Sequence, residues 1–412
     1  MSAQRKRHVI YLDWPLGQQA GGPSGYLWHL REGLRANGDD ALVTFIAPEQ
    51  SAVAPSHRRR SLKTLIDRLK PVDPLWRTVK TFGPTIVSAE RHEFLSTPLD
   101  RYFLPEAHEQ LFADETIGAV HCHTTIDALR MHNSLARLGR RRDVRLILTS
   151  HCPEMPAAEK TAVLVSNGLL PALAPRIEAR LTALDLAAFA AADELVFPCV
   201  EAREPYAAGS ARFDEIADKK PVTYILSGIV PPSAGAPFAG RLPDAHPRLI
   251  YIGRHNHVKG YDLLTEAVRP FLEAHGGAMI VAGAPGPVPA PEHKSWHELG
   301  WIAGPAALIE AGDVFILPNR KTYFDLVALE VMALGRPILA SATGGNKTLA
   351  RMSRGVRLFE PSPQALGDAL AAFFAVPESA RVALCAENRA VFAEHFTAEA
   401  FAKRYLEIIA GA

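Results

Sequence analysis

Two loops in the second half of the chain hold the residues that are best suited to chemistry. In the first loop, Arg254 and Lys259 stand five positions apart within residues 253–260, after an apolar run and before a segment of helical periodicity. Two cations beside glycines in such a place form a compact clamp for a pyrophosphate. Loop cations are in many proteins simply solvated, so this spacing alone leaves both interpretations open.

The second loop carries hydroxyl and carboxylate groups. Thr322, Asp325 and Glu330 follow the apolar run 313–318, and a Gly-Gly-Asn sequence ends the pattern at 344–346. Glu330 can accept hydrogen bonds from ligand hydroxyls or satisfy nearby backbone. Asp325 can face a ligand or cap the helix that follows, because carboxylates favour the first turn of a helix.

The first half of the chain offers a glycine-rich turn and a histidine. Gly21 and Gly22 lie in the turn 17–25 after the first apolar run, where backbone N–H groups can approach a phosphate or sugar oxygen. The turn lacks the G-x-G-x-x-G pattern, so its glycines can equally serve geometry alone. His151 follows the run 145–149 and can hydrogen-bond a substrate or merely satisfy backbone.

A metal site is the competing interpretation of the histidines. His121, His123, His151 and Cys152 stand at the ends of two runs, and all four are acceptable zinc ligands. The H-x-x-x-H and paired-cysteine spacings are absent, so we expect no metal. The 4 cysteines of the chain are widely separated, which favours reduced thiols over disulfides.

Short apolar runs alternate with helix-length segments along the chain, which predicts parallel sheets flanked by helices. With 412 residues, two or more domains are expected. We predict a first Rossmann-like domain over 1–232, a linker over 233–247 and a second such domain over 248–396, with the C-terminal helix of 397–412 packing back onto the first. The expected strands are 8–13, 41–46, 119–122, 145–149, 194–197, 222–226, 248–252, 278–282, 313–317 and 337–340.

With these segments in order, the chain resembles family 4 of the glycosyltransferases, the glycosyl transferases group 1. The resemblance covers most of the chain and is strongest over 253–346. It implies an α/β architecture of GT-B type, with two doubly wound parallel-sheet domains facing a cleft. It also implies a retaining transfer of a sugar from a nucleoside diphosphate sugar to a glycan, lipid-linked or small-molecule acceptor, without cofactor or bound metal.

The resemblance assigns roles to particular residues. Arg254 and Lys259 would neutralise the leaving diphosphate, Glu330 would hold the donor ribose, and a histidine like His151 contacts the transferred sugar near its reacting carbon. The expected catalytic set is His151, Arg254, Lys259 and Asp325. The expected donor-binding set is Gly21, Gly22, Arg254, Lys259, Thr322, Phe324, Asp325, Leu326, Val327 and Glu330.

Two positions depart from the family pattern, in which two glutamates stand eight residues apart. Thr322 stands in place of the first glutamate, and Asp325 stands where the family has a glycine, which can return a carboxylate to the same loop. The departure leaves a second hypothesis open, a GT-B-like protein that binds a partner or a nucleotide sugar without catalysis. A phosphorylase or an epimerase on the same fold is a third.

Charge and composition limit the partners. Apolar residues make up 48% and charged residues 22%, which excludes a disordered or coiled-coil protein. The 45 cationic residues nearly balance the 44 acidic ones, so net charge gives no reason to expect nucleic acid as a partner. The segment 56–80 holds eight cations and two carboxylates with an apolar helical face. It fits an anionic membrane surface, a phosphate-bearing or lipid-linked acceptor, or an ordinary core-facing helix. The arginines of 137–145 are expected to be solvated.

The chain is expected to work in the cytoplasm, with a peripheral position at the inner face of the membrane as the alternative if 56–80 binds lipid. No run approaches the ~18 apolar residues of a membrane-spanning helix. The basic start of the chain is followed by too short an apolar stretch for a signal-peptide core.

Overall fold

A computed structural model describes residues 6–18, 22–48, 97–166, 171–232, 240 and 242–410. Gly21, the basic segment 56–80 and most of the expected linker 233–247 lie outside these residues. The chain divides into two compact units. The first comprises Met1–Gly25, Asp40–Val196 and Tyr206–Thr223, and the second comprises Tyr26–Asp39, Phe197–Pro205 and Tyr224–Ala412. The domain boundaries expected from the sequence stay a prediction.

The first sheet has six strands in the order β2-β1-β3-β4-β5-β6. Its strands are β1 (Arg7–Tyr11), β2 (Val43–Ile46), β3 (Ile117–Cys122), β4 (Arg145–Leu148), β5 (Glu194–Phe197) and β6 (Val222–Tyr224). β1 pairs in parallel with both β2 and β3, so the direction of winding reverses between β1 and β3. Such a reversal places the loops after these two strands on either side of a crevice at the carboxyl edge of the sheet.

The second sheet also has six strands, in the order β12-β11-β10-β7-β8-β9, and all its pairs are parallel. Its strands are β7 (Arg248–Ile252), β8 (Ala278–Ala282), β9 (Trp296–Glu298), β10 (Val314–Leu317), β11 (Ile338–Ser341) and β12 (Val356–Phe359). This is the Rossmann strand order, with its reversal between β7 and β10. Both loops that the sequence analysis singled out, 253–260 and 318–325, therefore leave the sheet at its switch point.

The second sheet is buried on both faces, which explains its continuous apolar strands. Along β7, Leu249 and Tyr251 belong to one hydrophobic cluster, while Ile250 between them belongs to the other. Along β10, Val314 and Phe315 are divided in the same way. Successive side chains point to opposite faces of a strand, so each strand contributes to two cores at once.

Helices flank the strands. Those of the described residues are α1 (Gly22–Asn37), α2 (Glu106–Leu111), α3 (Thr125–Arg137), α4 (Pro156–Ser166), α5 (Ala174–Ala191), α6 (Val200–Gly209), α7 (Ala211–Ala217), α8 (Tyr261–His275), α9 (Ala306–Glu310), α10 (Leu326–Ala333), α11 (Gly345–Met352), α12 (Pro363–Phe374), α13 (Glu378–His395) and α14 (Ala398–Ala410). Short 3₁₀ turns cover Asp40–Leu42, Leu99–Arg101 and Pro171–Leu173. The side chain of Ser362 caps α12 by accepting from the backbone N–H of Ala365, with a proline at the first helical position.

The α/β architecture expected from the sequence is confirmed, with two strands that were not expected. β9 and β12 are the edge strands of the second sheet. α14 packs against α1 inside the second unit, where the rings of Phe401 and Tyr26 are 4.8 Å apart. Among the described residues, none of the helices is by itself long and apolar enough to cross a membrane, and only α12 and α13 together, bent by 108°, meet that length and composition.

The expectation that the arginines of 137–145 are solvated is wrong for Arg140, which is buried, and Arg141 and Arg145 are half-buried, whereas Arg137 is exposed as expected. Arg140 is 7% exposed, and its guanidinium donates to the backbone oxygens of Phe112 at 2.8 Å and Ile117 at 2.9 Å. The other three pair with carboxylates: Arg137 with Glu109, Arg141 with Asp193 and Arg145 with Glu194. A buried guanidinium is stable here because several fixed backbone oxygens replace its water. Arg142 is exposed, as expected.

Candidate functional site

The loop after β7 is held in one shape by hydrogen bonds between side chains and its backbone. The hydroxyl of Tyr251 donates to the backbone oxygen of Arg254 at 2.8 Å, and the side chain of Asn256 accepts from the backbone N–H of Lys259 at 2.9 Å. Gly260 ends the loop with φ of 63°, and a Cβ there would lie 1.8 Å from the backbone oxygen of Pro318. Only glycine permits both the backbone conformation and this approach to the loop after β10.

Lys259 and Asp325 bring the two loops into contact. The ammonium of Lys259 lies 2.8 Å and 3.0 Å from the two carboxylate oxygens of Asp325, although the residues are 66 positions apart. Asn319 donates a third hydrogen bond to the same carboxylate. Arg254 is exposed and makes no ion pair with any of the described residues, so one of the two expected cations is neutralised and the other is not.

Asp325 stands at the N-cap position of α10, but its side chain makes no capping hydrogen bond. The interpretation of this carboxylate as a helix cap is therefore wrong. Its oxygens are instead directed to Lys259 and Asn319. The carboxylate and the ammonium are 19% and 25% exposed, so the pair is only partly screened by water.

Thr322 is part of a buried hydroxyl and amide network. Its side chain is 2% exposed, and its oxygen lies 3.1 Å from the hydroxyl of Thr343 and 3.3 Å from the amide nitrogen of Asn319. The amide nitrogen of Asn346 donates to the backbone oxygen of Ser341 at 3.0 Å and lies 3.4 Å from Thr322. These partners fit a small hydroxyl, so the network accounts for how this loop accommodates threonine at this position.

Two amide oxygens of this network have no hydrogen-bond partner within the described residues. They belong to Asn319 and Asn346, both of which are 1% exposed. Unpaired buried acceptors of this kind are uncommon and call for a donor from a ligand or from water. Neither residue was expected from the sequence to have a role. The position of Asn319 directly after Pro318, at the end of an expected strand, is the signal that could have identified it.

Glu330 lies on α10, one turn and a half beyond Asp325. It is half-buried, and burial raises the pKa of its carboxyl from 4.5 to about 7. Within the part of the chain that the structure describes, its carboxyl forms no hydrogen bond or ion pair. A carboxyl with a pKa near neutrality exists in both protonation states, so it can donate to or accept from a ligand hydroxyl.

The apolar residues of the expected donor-binding set belong to the core. Phe324 is 7% exposed and packs in a hydrophobic cluster, and its ring centre lies 6.2 Å from that of Phe396. Leu326 and Val327 are half-buried against the same cluster. The side chains of these three residues therefore fix the loop on the core. Their backbone N–H and C=O groups are what they offer to a ligand.

In the first unit, His151 lies among other imidazoles. Its Nε2 is 2.8 Å from Nδ1 of His123. The ring of His123 is tilted by 32° against that of His121, with 4.2 Å between the ring centres, and Nε2 of His121 is 2.9 Å from the hydroxyl of Thr149. Burial lowers the pKa of His151 to about 3, so its ring is neutral at physiological pH. His151 also has φ of 58°, a left-handed conformation that is uncommon for non-glycine residues.

Two further expectations concern this unit. Gly22 begins α1 with φ of 51°, and a Cβ at this position would meet no atom within 4 Å, so the backbone angle alone favours glycine. Gly21 lies outside the described residues. Within the described ranges, no group of three His, Cys, Asp or Glu side chains is arranged to hold a metal ion. Catalysis without metal stays a prediction.

Comparisons with known proteins give a family match for part of the chain and a likeness of fold. The family model described as glycosyl transferases group 1 matches residues 246–375. An uncharacterized glycosyltransferase of Methanocaldococcus jannaschii is 26% identical over 134 residues, which is 30% of this chain and 34% of that protein. The match therefore spans about a third of that curated relative.

Two solved structures resemble the whole chain. Sucrose-phosphate synthase from Thermosynechococcus elongatus is 19% identical with a TM-score of 0.64, covering 99% of this chain and 100% of the other. The catalytic domain of starch synthase IV from Arabidopsis thaliana, bound to ADP and acarbose, is 16% identical with a TM-score of 0.63, covering 99% of both. At this identity the likeness establishes the fold, which is GT-B.

Proposed function

We propose that the protein is a retaining glycosyltransferase that uses a nucleoside diphosphate sugar, because residues 246–375 match the model of the glycosyl transferases group 1 and the fold is GT-B. The observation that carries the proposal is the contact of Lys259 with Asp325. It joins the loops after β7 and β10 at the switch point of the second sheet, the place where doubly wound domains bind nucleotides.

The diphosphate is the group that Arg254 and Lys259 would bind. Arg254 is exposed and unpaired within the described residues, and its planar guanidinium can donate two parallel hydrogen bonds to a phosphate. Lys259 has three N–H donors, and Asp325 has only two oxygens to accept them, so one donor remains for a ligand. Both cations would stabilise the negative charge that develops on the leaving diphosphate.

Glu330 would hold the donor ribose. Its carboxyl has no partner within the described ranges and lies on the helix that begins after Asp325. Two ribose hydroxyls can supply the hydrogen bonds that a half-buried carboxyl requires, which would offset the cost of its burial. The unpaired amide oxygens of Asn319 and Asn346 are further acceptors for donor hydroxyls in this unit.

In the transfer, the bond between the anomeric carbon and the β-phosphate oxygen breaks and leaves its electrons on the phosphate. The acceptor oxygen forms the new bond on the same face of the sugar, and its proton passes to the departing phosphate. This route requires stabilised charge rather than a strong base. A neutral imidazole such as His151 fits the role of a hydrogen-bonding group to the transferred sugar.

One observation favours a second candidate, a protein that binds a nucleotide sugar without transferring it. Thr322 replaces the first glutamate of the family pair, and its hydroxyl is committed to the network with Thr343 and Asn319. The loss of a charged hydrogen bond to the sugar would cost ~1.5–3 kcal/mol of transition-state stabilisation if nothing replaced it. Binding without turnover is the outcome that this candidate predicts.

A donor screen followed by product analysis tests the proposal. A nucleotide sugar at 100 times its Kd should stabilise the protein by ~2.7 kcal/mol, which raises Tm by about 5–10 °C for a domain of this size. With a donor that binds, NMR of the product or of the hydrolysed sugar reports the anomeric configuration. Absence of a response to ADP, GDP and UDP sugars alike would refute the proposal, and an inverted product would refute retention.

A further inference from the structure

The Lys259–Asp325 pair changes the charge that a bound diphosphate would meet. Lys259 is one of two expected phosphate-binding cations, and its positive charge is balanced by a carboxylate in direct contact. Asp325 is fixed by three hydrogen bonds, two from Lys259 and one from Asn319. A carboxylate held so firmly cannot turn away from a ligand at low cost.

The other carboxylates near this site already have partners. At the start of α8, Asp262 pairs with Arg320 and with His257. On β9, Glu298 accepts a hydrogen bond from the indole nitrogen of Trp296. Each of these groups is already committed to a partner. Of the two cations expected to bind phosphate, Arg254 is exposed and forms no ion pair with the described residues, and Lys259 is in contact with the carboxylate of Asp325.

We propose that Asp325 is a specificity residue that makes this site bind a nucleoside diphosphate sugar in preference to the free nucleoside diphosphate. The inference rests on the proposed function. A terminal phosphate has a second pKa near 6, so the free diphosphate carries close to one more negative charge at pH 7.5 than its sugar ester. That extra charge lies on the β-phosphate, the group expected beside Lys259, where the Asp325 carboxylate repels it.

This charge effect has a consequence for turnover. The free nucleoside diphosphate is the product that remains after transfer, and tight product binding would limit the rate. A carboxylate that penalises the product more than the donor favours release. In the family pattern this position is a glycine, so the effect would be particular to chains that carry a carboxylate here.

A purely positioning role for Asp325 predicts the opposite sign. If the carboxylate served only to orient Lys259, its loss would loosen the ammonium and weaken the binding of donor and product alike. The substitution Asp325→Asn separates the two roles. Asparagine keeps the size and one acceptor oxygen for Lys259, and it removes the negative charge.

The experiment is calorimetric titration at pH 7.5 of the parent protein and Asp325→Asn. Three pairs serve as probes: ADP with ADP-glucose, GDP with GDP-mannose, and UDP with UDP-glucose. For the pair that binds, we expect the Kd of the free diphosphate to fall about tenfold, equivalent to ~1.4 kcal/mol, and that of the sugar to fall about threefold or less. The control Glu387→Gln removes a carboxylate of the same unit that pairs with Arg354 at 2.7 Å, and it should leave the ratio of the two Kd values unchanged.

The outcomes distinguish the inference from the function on which it rests. If none of the three pairs binds the parent protein, the proposed function and the inference both fall. If a pair binds and Asp325→Asn changes both Kd values by the same factor, or weakens both, the inference alone is overturned. A ratio that shifts equally in Glu387→Gln also overturns it, because the effect would then follow from net charge and not from Asp325.

Discussion

Glu330 makes the stability of the protein depend on pH in a direction opposite to that of an ordinary surface glutamate. Burial raises its pKa in the folded state from 4.5 to about 7. Between these values the folded state binds more protons than the unfolded state, so the free energy of unfolding falls as pH rises. Above pH 7 the carboxylate is ionised in both states, and the full cost of its burial is present.

The size of this effect follows from the shift. One pKa unit corresponds to ~1.36 kcal/mol, so a rise of the pKa to about 7 costs ~3 kcal/mol at pH 8 and ~1 kcal/mol at pH 5. The substitution Glu330→Gln keeps the shape and removes the charge. We expect it to stabilise the ligand-free protein by ~2 kcal/mol more at pH 8 than at pH 5, which is about 4–8 °C in Tm for a domain of this size.

Thermal unfolding of Glu330→Gln and the parent protein at pH 5 and pH 8 measures this difference. The control is Glu387→Gln. Hydrogen bonds from Arg354 lower the pKa of Glu387, so this carboxylate stabilises the fold above its unfolded pKa of 4.5, and the stabilisation is lost as pH falls through the lower folded pKa. The Tm of Glu387→Gln should therefore lie below that of the parent by a similar amount at pH 8 and pH 5, because both values are above the unfolded pKa of Glu387. An equal Tm difference for Glu330→Gln at the two pH values would refute the reasoning.

Three further experiments test the loop after β7, the buried Arg140 and the basic segment 56–80. Gly260→Ala places a Cβ 1.8 Å from a backbone oxygen at a φ of 63°, so it should lower Tm and abolish nucleotide binding, whereas Gly367→Ala, with nothing within 4 Å, should stabilise α12 by ~0.5–1 kcal/mol. Arg140→Met leaves buried backbone oxygens unpaired and should lower the free energy of unfolding by ~2–4 kcal/mol in denaturant titrations, while the exposed Arg142→Met should change it by less than ~0.5 kcal/mol. If segment 56–80 binds anionic lipid, the protein should sediment with phosphatidylserine vesicles at low salt and not at high salt. Substitution of the three consecutive arginines of this segment by serine should abolish the sedimentation. The absence of vesicle binding at low salt would reject a membrane role for the segment.

Continuous apolar patterns predicted most of the second sheet because its inner strands are buried on both faces. β7, with the sequence RLIYI, begins and ends where the sequence indicated. β9 escaped prediction because its three residues, WHE, show no apolar run, and β12, with the sequence VRLF, has two half-exposed or exposed positions on an edge strand. Edge strands rely on a neighbouring strand for their hydrogen bonds, and that neighbour is distant in sequence.

The sequence indicated which loops carry the candidate site residues, but it did not indicate which of these residues contact each other. Strand ends indicated that Lys259 and Asp325 lie on loops at one edge of the sheet, but their contact depends on β7 lying next to β10, which is a property of strand order. The burial of Arg140 has the same origin, because its acceptors are backbone oxygens 23 to 28 positions away. Composition counts such a residue as a surface charge, and only the tertiary structure shows the oxygens that replace its water.

The most direct test of diphosphate binding by the loops after β7 and β10 is the Kd of a nucleoside diphosphate, measured for the parent protein and for Lys259→Ala. The control is Lys347→Ala, which removes a lysine of the same unit that pairs with Glu204 at 3.1 Å. Loss of a charged hydrogen bond to phosphate costs ~1.5–3 kcal/mol, so we predict about 10-fold to 150-fold weaker binding for Lys259→Ala and no change for the control. An unchanged Kd for Lys259→Ala would contradict the assignment of the diphosphate to the loops after β7 and β10.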